Sequence, residues 1–301
     1  MANLKNMNEV QIREVCNKVK ESGVALVDDF LDTEQFELAN NVLKNVRNSE
    51  YAKGDRSGYF PVNLRNIIVK LLKFEFGKLK KSFLLKKIAK DLQFKKIAEK
   101  IFDHEAELYM LDSYYSKKSN EFVIPWHNDI GYHDENDKFF GFGSTNKDSF
   151  YEAADSTINL KKSKNNCGRG IKFFIFMTDV ESKNGCMSSI PCSHHIARAI
   201  TSLILEKKIK LEAYWHLKDL RALVLKNPIK NLLRDKVGNE KLNIFLNSSE
   251  FTEQNASDTS VFDYKMKKGG AVIFDELVVH RGSAPNKHGR LVLRYHYHKK
   301  I

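Results

Sequence analysis

Apolar positions recur every three or four residues through most of the first hundred residues, and closer to every second residue beyond them. Between Glu9 and Glu21, the residues Val10, Ile12, Val15, Cys16 and Val19 mark one face of an amphipathic helix that Gly23 ends. Val24 to Val27 reads as a short apolar strand. Asp32 or Thr33 caps a second helix reaching about Val46, with Phe36, Leu38, Val42 and Leu43 inward. Tyr51 to Val62 reads as loop with some strand. Leu71 to Ile101 reads as helix interrupted near Gly77. Its Leu85, Ile88, Leu92, Phe94, Ile97 and Ile101 fall at helical spacing, as in a layer packed on a sheet.

The later pattern favours strands. Ala106 to Tyr115 alternates loosely, and Phe122 to Trp126 runs into His127-Asn128-Asp129. Gly131 to Gly170 is long and polar and reads as a loop or lid. Ile171 to Met177 reads as a fully apolar strand, Asn184-Gly185 as a turn, and Cys186 to Pro191 as the return strand. Helical spacing comes back from Ile196 to Asp235, and Asn247 to Ser260 is polar. Gly269-Gly270 turns into the apolar strand Ala271 to Phe274, and Leu291 to Tyr297 is the last strand. Helices thus precede short strands that carry one helical insertion. That order fits a β-sandwich or barrel core with helices packed outside, not a parallel βαβ sheet. No internal repeat, phosphate loop or dinucleotide fingerprint is present.

Composition narrows the class. With 301 residues, 42% hydrophobic and 11% aromatic, the chain can form a substantial core. No run approaches the ~18 apolar residues of a membrane span. Met1 to Val10 lacks the apolar centre of a signal peptide. The expectation is a soluble cytoplasmic protein without a membrane partner. Cys16, Cys167, Cys186 and Cys192 form no C-x-x-C pair and read as isolated thiols. Net charge is +12, and Lys70 to Lys100 holds eleven lysines against Glu75, Asp91 and Glu99. Such a lobe attracts nucleic acid, anionic membranes or acidic small molecules, but it reads here as a solvated helix face.

The candidate chemistry is a non-haem iron centre. Such a centre takes two neutral imidazoles and one carboxylate on one face of the metal. His127 and Asp129 are two apart, which places both side chains on one side of an extended segment. His280, after the apolar strand Ala271 to Phe274, is placed to supply the second imidazole. With ten histidines in the chain, H-x-D alone carries little weight, and the combination carries more. Arg290, or Arg294 on the same face of the last strand, has the planar fork that grips a carboxylate. Other histidines read as structural: His194-His195 at a turn, and His296 and His298 near the exposed C-terminal end. His104 opens His-Glu-Ala-Glu-Leu, which lacks the second histidine of a zinc protease helix.

These stretches resemble, in order, the phytanoyl-CoA dioxygenase family of Fe(II)/2-oxoglutarate oxygenases. Gly23 to Leu31 resembles its N-terminal strand opening, and Trp126-His127-Asn128-Asp129 its W-H-x-D motif. Thr178-Asp179, Asn184-Gly185 and Pro191-Cys192-Ser193-His194 resemble its T-D…N-G…P-G-S-H hairpin. Gly269-Gly270 through Asp275 and His280, then Asn286 and Arg290, resemble the segment that follows. Cys192 and Gly270 stand where the family has Gly and Asp, and the His280 to Arg290 interval is one residue short.

The resemblance implies a double-stranded β-helix, or jelly roll, as one domain over 1–301. Residues 1–105 would be N-terminal helical support and 106–301 the core, with 132–170 and 196–260 as lid or substrate-selecting insertions. It implies His127, Asp129 and His280 as iron ligands, with 2-oxoglutarate and O2 as co-substrates and Arg290 on the distal carboxylate. Phe174 and Lys117 are further candidates beside the co-substrate. The intact Asp129 argues against halogenation. The expected activity is oxidation of an unactivated C–H bond of a small anionic molecule, by hydroxylation, desaturation or ring closure, as in secondary metabolism. A nucleic-acid- or protein-modifying oxygenase using the Lys70–Lys100 lobe and a non-catalytic jelly-roll binding protein are the alternatives. Oligomeric state is left open.

Overall fold

The computed structural model describes residues 7–48, 58–119, 125–133, 136, 139–141, 156–159, 170–212 and 216–300. Its helices are α1 (Glu9–Ser22), α2 (Thr33–Leu43), α3 (Leu64–Leu72), α4 (Phe76–Asp91), α5 (Phe94–Phe102), α6 (Ser193–Leu205), α7 (Leu217–Val224), α8 (Asn227–Val237) and α9 (Asn239–Gln254). The strands are β1 (Val24–Val27), β2 (Tyr59–Phe60), β3 (Ala106–Ser116), β4 (Ile130–His133), β5 (Phe139–Gly141), β6 (Ser156–Asn159), β7 (Gly170–Phe176), β8 (Met187–Ser189), β9 (Asp263–Tyr264), β10 (Ala271–Asp275), β11 (His280–Gly282) and β12 (Arg290–Lys299).

Six strands form an antiparallel sheet in the order β1-β10-β7-β12-β3-β2, and three more form a second sheet, β11-β8-β9. The sheets pack through Phe174, Phe176, Val272 and Phe274 of the larger and Met187 of the smaller. This is the double-stranded β-helix. The outer face of the large sheet carries Phe173, Ile175, Ile273, Leu293 and Tyr295, against which α1, α2, α4 and α5 bury their apolar stripes. Phe94 of α5 stacks on Phe173 at 4.5 Å and meets Tyr295 edge-on at 4.9 Å. A third cluster joins α6–α9 to Ile130, Tyr132, Leu277 and Val279, so the helical insertion is rooted behind the strands that lead to His127 and His280.

Local chemistry sets the boundaries. Asn8 and Asp32 form capping boxes with Gln11 and Gln35, and Gly23 ends α1 at φ +88°. The interruption expected near Gly77 falls at Lys73–Glu75, α4 runs through Gly77 itself, and a second break lies at Leu92–Gln93; Phe74 and Gln93 take left-handed φ there. Gly77 meets no neighbour that requires a glycine. The expected lid 131–170 contains regular structure: β4 pairs β5 antiparallel and β6 parallel. Apart from Asn136 and Gly170, the rest of that stretch, Cys167 included, lies outside the described residues. The polar run from Asn247 continues α9 as far as Gln254.

Candidate active site

His127 and His280 face each other across a short β-bridge and exchange both backbone hydrogen bonds, at 3.0 and 2.8 Å. The Asp129 amide donates to the Glu276 carbonyl at 3.1 Å, which fixes the carboxylate beside them. One ligand atom from each of His127, Asp129 and His280 lies within 4.8 Å of the other two. Nε2 of His127 is 3.4 Å from Asp129 Oδ1, and Nε2 of His280 is 3.3 Å from Asp129 Oδ2.

The other ring nitrogens are committed. His127 Nδ1 lies 2.7 Å from the Pro125 carbonyl oxygen, and His280 Nδ1 lies 3.0 Å from that of Val278. A carbonyl only accepts, so each Nδ1 donates to it, which turns each Nε2 towards the common centre. Burial, partly opposed by the Asp129 charge, pushes the His280 imidazole down to about 3, so it is neutral near pH 7. Burial alone would raise the Asp129 carboxyl. The charge of Lys172, with the His280 and His127 rings beside the carboxylate, overrides it and holds the group well below the usual carboxylate range. Two imidazoles and one ionised carboxylate, a nitrogen and oxygen donor set, suit a divalent iron ion.

Lys172 was hidden in the sequence within a strand read as fully apolar. It is 2% exposed on β7, and its ammonium donates to Asp129 Oδ2 at 2.5 Å. The available signal was a lone cation in a run of Phe and Ile on a central strand, where a buried charge requires a partner. His296, read from the sequence as exposed, is fully buried, because β12 is a central strand and places it opposite Lys172. His298 is mostly buried, 3.8 Å from Glu276, and stacks on Tyr109 at 4.1 Å.

The two arginine candidates differ in their partners. Arg294 donates through Nε to Asp112 Oδ1 at 2.8 Å and through Nη2 to Oδ2, so its fork is already on a buried carboxylate. Arg290 is 4% exposed and has no carboxylate partner among the described residues. Its Nη1 donates to the Gly185 carbonyl at 2.9 Å and Nη2 to Ser116 at 3.4 Å, while Nε is buried without a partner. The turn expected at Asn184-Gly185 lies at Ser182-Lys183, where Lys183 takes φ +59° and Glu181 and Asn184 exchange backbone hydrogen bonds; Gly185 follows at φ +72°, and the Asn184 side chain accepts from the Lys287 amide at 3.0 Å. A Cβ on Gly282 would lie 2.9 Å from Arg290 Nη1, so that glycine leaves the guanidinium its space. A buried guanidinium without a carboxylate partner among the described residues suits the distal carboxylate of a dicarboxylic acid.

Phe174 lines the interior, edge-on to Phe274 at 4.8 Å and 5.6 Å from the Arg294 guanidinium. Lys117 follows β3 and is exposed. Ser189 pairs with His280 in the small sheet and hydrogen-bonds Tyr264 at 2.5 Å. The hairpin motifs are structural. Thr178 accepts from the Leu291 amide at 3.2 Å and Asp179 from the Lys268 amide at 2.8 Å. Ser193 accepts from the Val279 amide at 2.8 Å, which ties the start of α6 to the strand before His280. Cys192 sits at φ +60°, a left-handed position that favours the glycine it replaces in the family pattern.

The sequence model of the phytanoyl-CoA dioxygenase family matches residues 19–290. No curated protein sequence matches the chain significantly. Among solved structures, iron-bound HygX from Streptomyces hygroscopicus is similar, with TM-score 0.51 at 11% identity over 96% of this chain and 87% of that one. HygX with nickel and 2-oxoglutarate bound is similar with TM-score 0.50 at 9% identity over the same shares. At these identities the likeness establishes the fold.

Proposed function

The chain belongs to the phytanoyl-CoA dioxygenase family and is a non-haem iron, 2-oxoglutarate-dependent enzyme; from that premise we propose that it oxidises an unactivated C–H bond of a small anionic molecule, by hydroxylation, desaturation or ring closure. His127, Asp129 and His280 are the proposed iron ligands, and Arg290 the anchor for 2-oxoglutarate. With iron(II) and 2-oxoglutarate bound, this chemistry uses O2 to oxidise the substrate and releases succinate and CO2. The observation that carries the reading is the convergence of the three donors, with both Nδ1 protons held by backbone carbonyls.

The protein's own share is positioning and exclusion of water. The backbone bridge sets the spacing of the imidazoles, and Lys172 holds one carboxylate oxygen of Asp129. Arg290 fixes one end of the dicarboxylate through a planar fork. Phe174, Phe274 and Val292 supply a dry wall that leaves the substrate little water to compete with. The anionic character of the substrate is supported by the net charge of +12. The insertion 196–260 is the proposed selector: the Leu217 amide donates to the Trp126 carbonyl at 3.2 Å, beside the ligand strand.

Anaerobic addition of Fe(II) and 2-oxoglutarate should give a weak visible charge-transfer band, absent in His127→Ala and His280→Ala. A folded wild type with neither that band nor succinate formation would overturn the assignment. Succinate release across a panel of carboxylated small molecules and thioesters then identifies the substrate. Preference for neutral substrates would remove the anionic part of the reading alone.

A further inference from the structure

The corner between α3 and α4 shows its apolar residues to solvent. No residue of α3 is buried. Of the fifteen large hydrophobic side chains exposed among the described residues, eight fall between Leu64 and Phe83: Leu64, Ile68, Val69, Leu71, Leu72, Phe74, Phe76 and Phe83. Leu64, Leu72 and Phe74 are 73%, 74% and 78% exposed. α4 is two-sided. Leu79, Leu85, Ile88 and Ala89 are buried against the protein. Phe76, Lys80, Phe83 and Lys87 recur at four- and three-residue steps along the opposite face, and all four are exposed.

The corner itself is strained and braced. Phe74 takes φ +55°, a conformation that costs a bulky residue on the order of 1 kcal/mol, and its ring points outward beside Phe76 at 6.1 Å. Lys70 and Glu75 close the turn with an ion pair at 2.8 Å.

We propose that the α3–α4 corner is a docking surface for anionic phospholipid, with Leu72, Phe74 and Phe76 entering the headgroup–acyl boundary and Lys73, Lys80 and Lys87 facing the lipid phosphates. Three features select this occupant. The apolar side chains are single projections on helix ends and turns, as interfacial anchors are, and not a concave groove for a peptide. The lysines are interleaved with them, so one plane can satisfy both sets. A second copy in a two-fold arrangement would set this lysine-rich face against itself. Nucleic acid would use the lysines and leave Leu72 and Phe74 in water.

The test is co-sedimentation of the full chain with vesicles of phosphatidylcholine alone and of phosphatidylcholine mixed with phosphatidylserine. The expected result is binding to the mixed vesicles only, weakened by added salt. Binding should fall about 25-fold in Lys80→Ala/Lys87→Ala, near fivefold for each lysine, and be lost in Leu72→Ser/Phe74→Ser. The unfolding temperature and charge-transfer band should stay at wild-type values in both variants. Phe74→Trp should show a blue-shifted emission with mixed vesicles. Equal binding to both vesicle types, no binding to either, or salt-insensitive binding would overturn the proposal. So would a concentration-dependent dimer that Leu72→Ser/Phe74→Ser abolishes, which would identify a second copy as the occupant.

Discussion

Lys172→Met removes the lysine ammonium that sits against the proposed ligand set and keeps an unbranched side chain of similar length. Unit charges 2.5 Å apart attract by about 7 kcal/mol at an effective dielectric near 20. Desolvation of both ions offsets much of this. Deleting only the ammonium still leaves a buried carboxylate without that partner, at a cost of about 3–5 kcal/mol. The metal-free variant should therefore melt on the order of 10 °C below wild type. A divalent ion at the three ligands replaces the missing positive charge, so much of the loss should return on metal binding. Recovery of ~2.8 kcal/mol corresponds to about 100-fold tighter metal binding in the variant. Differential scanning fluorimetry with and without Mn(II), an air-stable surrogate for iron(II), measures both melting points, and calorimetric titration measures the affinity directly. Lys172→Arg should stay near wild type. An equal drop in melting temperature with and without metal, at unchanged affinity, would refute the coupling between Lys172 and Asp129.

Arg290→Met should weaken 2-oxoglutarate about 30-fold or more, the cost of ~2 kcal/mol or more for a charged, hydrogen-bonded contact, read from the concentration dependence of the charge-transfer band. Arg294→Met should instead destabilise the fold by about 3–5 kcal/mol, because it strands the buried Asp112, and leave 2-oxoglutarate affinity largely intact; the reverse pattern would move the anchor to Arg294. Gly282→Ala brings a methyl within 2.9 Å of Arg290 Nη1 and should raise the KM for 2-oxoglutarate in steady-state succinate assays without loss of metal binding. Burial pushes His194 down to about 4 from its ordinary 6.5. Its unfolded form then takes up the proton first, so its contribution is intact above pH 6.5 and falls, by up to ~3 kcal/mol, as pH drops towards 4. In thermal melts across that window, His194→Gln should show a shallower loss than wild type.

Much of the candidate centre was legible in the chain because its parts are local. His127 and Asp129 are two apart on an extended segment, and His280 follows a strand of unbroken apolar residues; the turn expected at Asn184-Gly185 instead falls two residues earlier, at Ser182-Lys183, between the paired Glu181 and Asn184. The helix spacing of α1, α2, α5 and α6 was equally plain, since each buries one stripe. Lys172 was not legible, because an apolar run with a single lysine reads the same whether that lysine ends in solvent or on a carboxylate 43 residues earlier in the chain. Nor was the exposure of α3. Its Leu and Ile spacing suits burial, and among the described residues no layer covers it.

The sequence by itself determined the strand and helix periods, the turn residues and the types of donor available to a metal, because these depend on neighbours within a few positions. Tertiary structure decided which charges meet. Asp112 takes Arg294 and leaves Arg290 open, and β12 lies in mid-sheet, so His296 is buried although it is near the C-terminus. Such pairings join residues more than a hundred positions apart, and no local pattern encodes which of two like arginines finds the buried carboxylate first.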